Sequence, residues 1–196
     1  MLSKGSRKKL LEIARRSIAA QLENRRFEMG KIAEELKKIR ATFVTLTKNK
    51  ELRGCIGSLE ARQTLVEDVR QNAITAAFGD PRFPPLSSRE FAEIKIEISI
   101  LTPPRDLEYS NAADLLAKLR AGKDGVILSS GWNSATFLPQ VWKELQRKEE
   151  FLGSLCVKAG LPFNAWRSGK LKIQIYEAEK FGERLGKRIR EKFAQF

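Results

Sequence analysis

The sequence predicts an α+β protein with antiparallel sheet and separate helices, and three observations carry that reading. Ile94, Ile96, Ile98 and Ile100 alternate with Glu93, Lys95, Glu97 and Ser99, a period of two that gives a strand one apolar and one polar face. Two strand–turn–strand patterns, around Lys48-Asn49-Lys50 and around Gly131-Trp132-Asn133-Ser134, read as hairpins. Helical stretches interrupt these hairpins instead of following every strand, which argues against a doubly wound parallel sheet.

Leu10, Leu11, Ala14, Ile18 and Leu22 fall on one helical stripe and predict a helix over about 7–24. Residues 41–47, β-branched and aromatic, form the first strand, and 51–58 return as its hairpin partner. Leu65, Val66, Val69, Ala73, Ile74 and Ala77 predict a helix over 63–78 that stops at Gly79. The stretch Asp80-Pro81-Arg82-Phe83-Pro84-Pro85-Leu86 cannot be helix interior, because proline removes donors and fixes φ. Ser87 and Glu90 are spaced as a capping box. After the isoleucine strand come a helix over 112–120, strands at 126–129 and 135–138, and one helix from Pro139 through Trp142 and Leu155 to Ala159. Residues 172–177 alternate again, and Leu185, Ile189 and Phe193 line one side of a basic amphipathic helix.

Composition narrows the function classes. The chain has 196 residues, 42% hydrophobic and 31% charged, which are globular values. No apolar run approaches the roughly 20 residues that span a bilayer, and the basic N-terminal stretch lacks the apolar segment of a secretory signal. A cytoplasmic protein with no membrane partner is the expectation. There is no histidine, so no Ser-His-Asp triad or Cys-His dyad can be built. Two cysteines are too few for a structural zinc site, and no metal site is predicted. The net charge of +13 sits at the ends: +9 over residues 1–50 and +3 over 183–196, against +1 between them. Basic ends suit an anionic partner such as nucleic acid or an acidic protein surface, although a solvated charged helix surface that aids solubility is the commoner reason for such charge.

The segment Leu52-Arg53-Gly54-Cys55-Ile56-Gly57 holds the candidate site. On a regular strand Leu52, Gly54 and Ile56 would face the core, while Arg53, Cys55 and Gly57 would share the opposite face. A guanidinium beside a thiol favours the thiolate, and the two glycines mark a bulge or a place where a ligand approaches the backbone. Cys55 is the candidate nucleophile and Arg53, Gly54 and Gly57 candidate binding residues. The competing reading makes Cys55 a small buried hydrophobe and the glycines packing devices. Cys156, beside Leu155 on a helix, reads as core. Asp80 and Arg82 either position a substrate or merely pair and lock their loop. Glu97 reads as a polar strand position that would become a general base if it lay near Cys55.

These motifs resemble the AMMECR family, also called AmmeMemoRadiSam system protein A. The resemblance rests on 52–57, 80–86, the Ile96–Leu101 strand with its following prolines, 122–126, 135–142, and 151–160, and runs from about residue 9 to about 180. It implies two α/β units, one of them discontinuous, within residues 1–182, with 183–196 as a separate basic helix or tail. It implies an intracellular protein associated with Memo-type and radical S-adenosylmethionine proteins, and it names no reaction or cofactor. Three functions follow as expectations: a cysteine-centred binding or catalytic site, a nucleic-acid accessory module, or a non-catalytic interaction protein.

Overall fold

The computed structural model describes residues 1–183; the expected basic helix beyond Glu183 lies outside the described residues. In chain order the elements are α1 (Lys4–Leu22), β1 (Thr42–Lys48), β2 (Glu51–Gly57), α2 (Leu65–Phe78), α3 (Ser88–Phe91), β3 (Ile94–Leu101), β4 (Arg105–Asp106), α4 (Ala112–Lys118), β5 (Gly125–Ser130), β6 (Asn133–Phe137), α5 (Lys148–Lys158), β7 (Lys172–Tyr176) and β8 (Ala178–Gly182). The described residues form two units, one of Met1–Leu101 with 179–183, the other of Thr102–Ala178. Each is built on a four-stranded sheet, in the orders β2-β1-β3-β8 and β4-β7-β5-β6. The first unit is therefore discontinuous, because β8 returns to it. No helix among the described residues is long and apolar enough to cross a membrane.

In the first unit, the stripe Leu10, Ile13, Ala14 and Ile18 of α1 and the stripe Leu65, Val69 and Ala73 of α2 share one core with Val44, Leu46, Ile94, Ile96 and Ile98. Each large apolar side chain removed from water contributes about 1.5–3 kcal/mol. Arg15 is buried inside this unit and its polar groups are met in full view of the core. Its Nη1 donates to the Phe91 carbonyl at 2.8 Å, its Nη2 to that of Ile94 at 2.9 Å, and its Nε to Glu183 at 2.8 Å. Glu183 in turn accepts from the Ile96 N–H at 3.0 Å, which fixes the end of β8 on the sheet.

The second unit packs Leu115, Leu119, Phe151, Leu152, Leu155 and Cys156 against Val126, Leu128, Ile173 and Ile175. Trp142 stacks on Phe151 with centroids 3.7 Å apart, and its indole N–H donates to the Asp124 carbonyl at 2.7 Å. The single long helix expected from Pro139 is two elements. Residues Pro139–Lys143 form a 3-10 helix, and α5 begins only at Lys148. Lys143 to Arg147 carries no apolar residue except Leu145, so the core does not hold a continuous helix there. The strands β4 and β8 went unforeseen: β4 has only two residues, and the Ala-Glu-Lys-Phe-Gly of β8 shows no apolar alternation. Trp142 and Trp166 are core, whereas Trp132 stands fully exposed at the tip of the second hairpin.

Candidate functional site

The site is built on the edge of the first sheet. Asn49 and Lys50, with φ of 52° and 72°, make the two-residue turn that joins β1 to β2, the backbone twist that tight hairpins favour. Thr47 pairs with Leu52, but Leu46 pairs with Gly54, so Arg53 is an extra residue opposite no partner. This is a β-bulge, and it changes which side chains share a face. Leu52, expected in the core, is 44% exposed, while Arg53, expected to project with Cys55, is only 7% exposed.

Arg53 therefore does not serve Cys55. Its Nε and Nη2 donate to the Glu90 carboxylate at 2.9 and 3.0 Å, and Nη2 also donates to the Pro84 carbonyl at 2.9 Å. The remaining nitrogen, Nη1, is buried with no hydrogen-bond partner. Glu90 is pulled down to about 2 by the Arg53 guanidinium first, against the opposing effect of burial, with help from the Ser87 N–H and hydroxyl. Ser87 and Glu90 form the expected capping box of α3, so one carboxylate caps a helix and clamps a strand.

The cation beside Cys55 is Arg82. The helix α2 ends at Gly79, and the chain then carries Asp80 and Arg82 across the outer edge of β2. The Cys55 N–H donates to Asp80 Oδ2 at 2.9 Å, and the Cys55 carbonyl accepts from Arg82 Nη2 at 3.2 Å. Asp80 and Arg82 are joined by two further bonds, Nε to Oδ1 at 2.9 Å and Nη2 to Oδ2 at 2.7 Å. Asp80 also accepts from the Arg82 N–H at 3.1 Å. The pair thus acts as one more strand for a single residue, satisfying both outward backbone groups at an otherwise open edge. Four donated hydrogen bonds hold the Asp80 carboxyl well below the usual carboxylate range, chiefly those from Arg82. Asp80 raises Arg82 above its ordinary value, first through hydrogen bonds and then through its charge, against the opposing effect of burial.

Because its own N–H and carbonyl point outward, Cys55 sits at a non-hydrogen-bonded pair with Thr45, where facing side chains come closest. The Cys55 Sγ lies 3.2 Å from Thr45 Oγ1, and the thiol is half-buried. Thr45 is in register with Glu97 on β3, and Glu97 pairs with Lys180 of β8 at 2.7 Å. Cys55, Thr45 and Glu97 thus follow one another across three strands. The side chain of Arg82 is 54% exposed, that of Asp80 only 2%. The Phe83 ring is near both guanidinium groups, 5.8 Å from that of Arg53 and 5.7 Å from that of Arg82.

The glycines have steric explanations. A Cβ on Gly54 would stand 2.1 Å from the Ala76 carbonyl oxygen of α2, so helix and strand approach as closely as they do only because none is there. A Cβ on Gly57 would meet the Thr42 carbonyl oxygen at 2.3 Å and the Phe43 ring at 2.4 Å. Cys156 is fully buried, and desolvation pushes its thiol up. Three participants were not singled out for this site from sequence: Thr45, Phe83 and the clamping role of Glu90. Counting back from the hairpin turn would have placed Val44 opposite Cys55; the bulge shifts the partner to Thr45. Among the described residues no group of three or more His, Cys, Asp or Glu is placed to hold a metal.

Known proteins share this architecture. The chain is 43% identical over 183 residues to protein MK0488 of Methanopyrus kandleri, covering 89% of this chain and 86% of that one. It is 39% identical over 186 residues to a protein of Methanothermobacter thermautotrophicus, covering 93% and 96%. The crystal structure of the uncharacterized protein PH0010 from Pyrococcus horikoshii superposes with a TM-score of 0.84 at 35% identity, covering 95% of each chain. The AMMECR1 family profile matches residues 11–181, a span that includes the bulged strand, the Asp80–Arg82 loop and all eight strands but the last residue of β8. By its motifs, its fold and this match, the chain belongs to the AMMECR1 family.

Proposed function

We propose that the Cys55 surface binds a small molecule or peptide end bearing an oxyanion, with the Cys55 thiol as the reacting group and Arg82 as the cation that orients the ligand. One observation carries this reading: a half-buried thiol is held on a fixed strand by a carboxylate–guanidinium pair that satisfies its backbone from outside. A buried carboxylate is an expensive way to blunt a sheet edge, because desolvation offsets much of the attraction to its partner. A solvated lysine blunts an edge as well. What the pair adds is position: a thiol and a half-exposed guanidinium fixed to one residue of the strand. Arg82 spends Nε and Nη2 on Asp80 and Cys55, and its Nη1 has no partner among the described residues, which suits a ligand oxyanion. Without histidine, the proton of the thiol goes to a carboxylate, a lysine or water. Glu97, on the row of Thr45 and Cys55, supplies a carboxylate in that direction. Arg53, Gly54 and Gly57 support the site from behind through the Glu90 clamp and close packing. The association with Memo-type and radical S-adenosylmethionine proteins that the family name implies belongs to the same proposal, with this surface as the point of action.

The test compares alkylation of native Cys55 by anionic iodoacetate and neutral iodoacetamide. The expected result is an iodoacetate preference above that of a free thiol, falling in Arg82→Gln while iodoacetamide reactivity is largely kept. An unchanged preference in Arg82→Gln sinks the role of Arg82.

A further inference from the structure

We infer that the second unit carries its own oxyanion-binding cleft, formed by β4, β7 and the turn after α4 and suited to a small molecule bearing a carboxylate or a phosphate. The cleft has a volume of about 310 Å³ and is lined by Thr102, Pro103, Arg105, Arg120, Ile175 and Glu177, with Tyr176. That size lies at the lower end of the range of roughly 300–1,000 Å³ found for small-molecule sites, so a compact ligand fits and a polymer strand does not.

The donors in the cleft are more numerous than the acceptors, and they are held. Arg120 is anchored on Asp124, which is fully buried: the Arg120 N–H donates to Oδ2 at 2.8 Å, and Nε and Nη2 donate to Oδ1 at 3.1 and 2.5 Å. Nη2 also reaches Glu177 at 2.9 Å. These bonds use one edge of the guanidinium and leave Nη1 without a partner among the described residues. Glu177 is shared as well, since Lys123 approaches the same Oε1 at 3.4 Å. The Glu177 N–H donates to Thr102 Oγ1 at 2.9 Å, which leaves the threonine hydroxyl hydrogen to be given elsewhere.

Arg105 is the residue that decides the matter. It lies on β4, in register with Ile175, and among the described residues its guanidinium has no carboxylate and no carbonyl. Its neighbour Asp106 points to the other face and is taken by Lys172 at 3.6 Å and Gln174 at 2.9 Å. At and beside the cleft, three cations, Arg105, Arg120 and Lys123, therefore stand against two carboxylates, Asp124 and Glu177, with Arg105 paired to neither. One oxyanion group would balance the charge, bridge Arg105 and Arg120 Nη1, and accept from Thr102. Pro103 and Ile175 supply apolar walls for the rest of a small ligand. None of these residues takes part in the Cys55 surface, so the two sites stand or fall separately.

The experiment is a titration followed by backbone amide shifts in the full chain at constant ionic strength, with inorganic phosphate and acetate in separate arms and chloride as control. Saturable shifts confined to Thr102, Arg105, Arg120 and Glu177 are expected with at least one oxyanion. Phosphate alone marks a phosphate-bearing ligand; saturation by acetate marks a carboxylate. Arg105→Ala is exposed and should fold normally, and it should weaken binding by about tenfold or more, as loss of hydrogen bonds to a charged group does. Shifts that fail to saturate, that chloride reproduces, or that persist unchanged in Arg105→Ala overturn the inference.

Discussion

The two hairpins of the molecule protect a sheet edge by different means. In the second unit, the β6 edge is covered where the Lys158 ammonium donates to the Thr136 carbonyl at 3.0 Å and lies over the Phe137 ring. That contact is exposed, lysine-based and adjustable, which is how natural sheets commonly blunt an edge. In the first unit, the β2 edge is closed at Cys55 by Asp80 and Arg82, with the carboxylate buried and both outward backbone groups of one residue satisfied. A bulge, a helix–strand contact without a Cβ and a second clamp at Glu90 reinforce it. The difference teaches that the first edge is built for position rather than for solubility, and the residue it positions carries the thiol.

The comparison breaks most severely at Gly54. Gly54→Ala puts a methyl 2.1 Å from a backbone oxygen that cannot swing aside, and we expect a loss of about 3 kcal/mol or more, measured by denaturant unfolding. Asp80→Ala comes next. It leaves the Cys55 N–H and one edge of Arg82 without an acceptor, for a loss of about 2–3 kcal/mol, below that of a wholly buried pair because Arg82 reaches water. The Glu90 clamp sharpens the comparison through pH. Its folded-state value near 2 lies below that of an unfolded glutamate, so the stabilisation is fully present above about pH 4.5 and is lost as the pH falls toward 2. Glu90→Gln should flatten that part of the stability profile of the unfolding midpoint against pH. Lys158→Met is the mildest: an exposed contact, with an expected change within about 0.5 kcal/mol. A Lys158 effect equal to that of Asp80 would remove the distinction between the two edges.

Much of this was legible in the residues. The isoleucine strand, the turn at Asn49-Lys50, the capping box at Ser87 and the core position of Cys156 follow from period, turn chemistry and spacing, which are local. The motif around Cys55 was legible as a place of interest, and its glycines did signal a bulge. The consequences of the bulge were not legible. One extra residue sends Leu52 outward and Arg53 inward, so the arginine bonded to Cys55, through its backbone carbonyl, is Arg82 and not Arg53. Strand alternation assumes a register that only the partner strand fixes. Likewise, the spacing of Ser87 and Glu90 showed a cap, while the bond from Glu90 to Arg53, 37 residues away in sequence, has no local signature.

Whether the Cys55 thiol is accessible in the folded protein is decided by its rate of alkylation in the native state, with Cys156 as the internal reference and Cys55→Ala as the control. Cys55 is expected to be modified in the folded state and Cys156 only on unfolding, since one thiol is half-buried on an edge strand and the other has no exposed surface. Labelling of Cys55 that waits for global unfolding, at the rate of Cys156, would contradict it and make the charged pair a packing device alone.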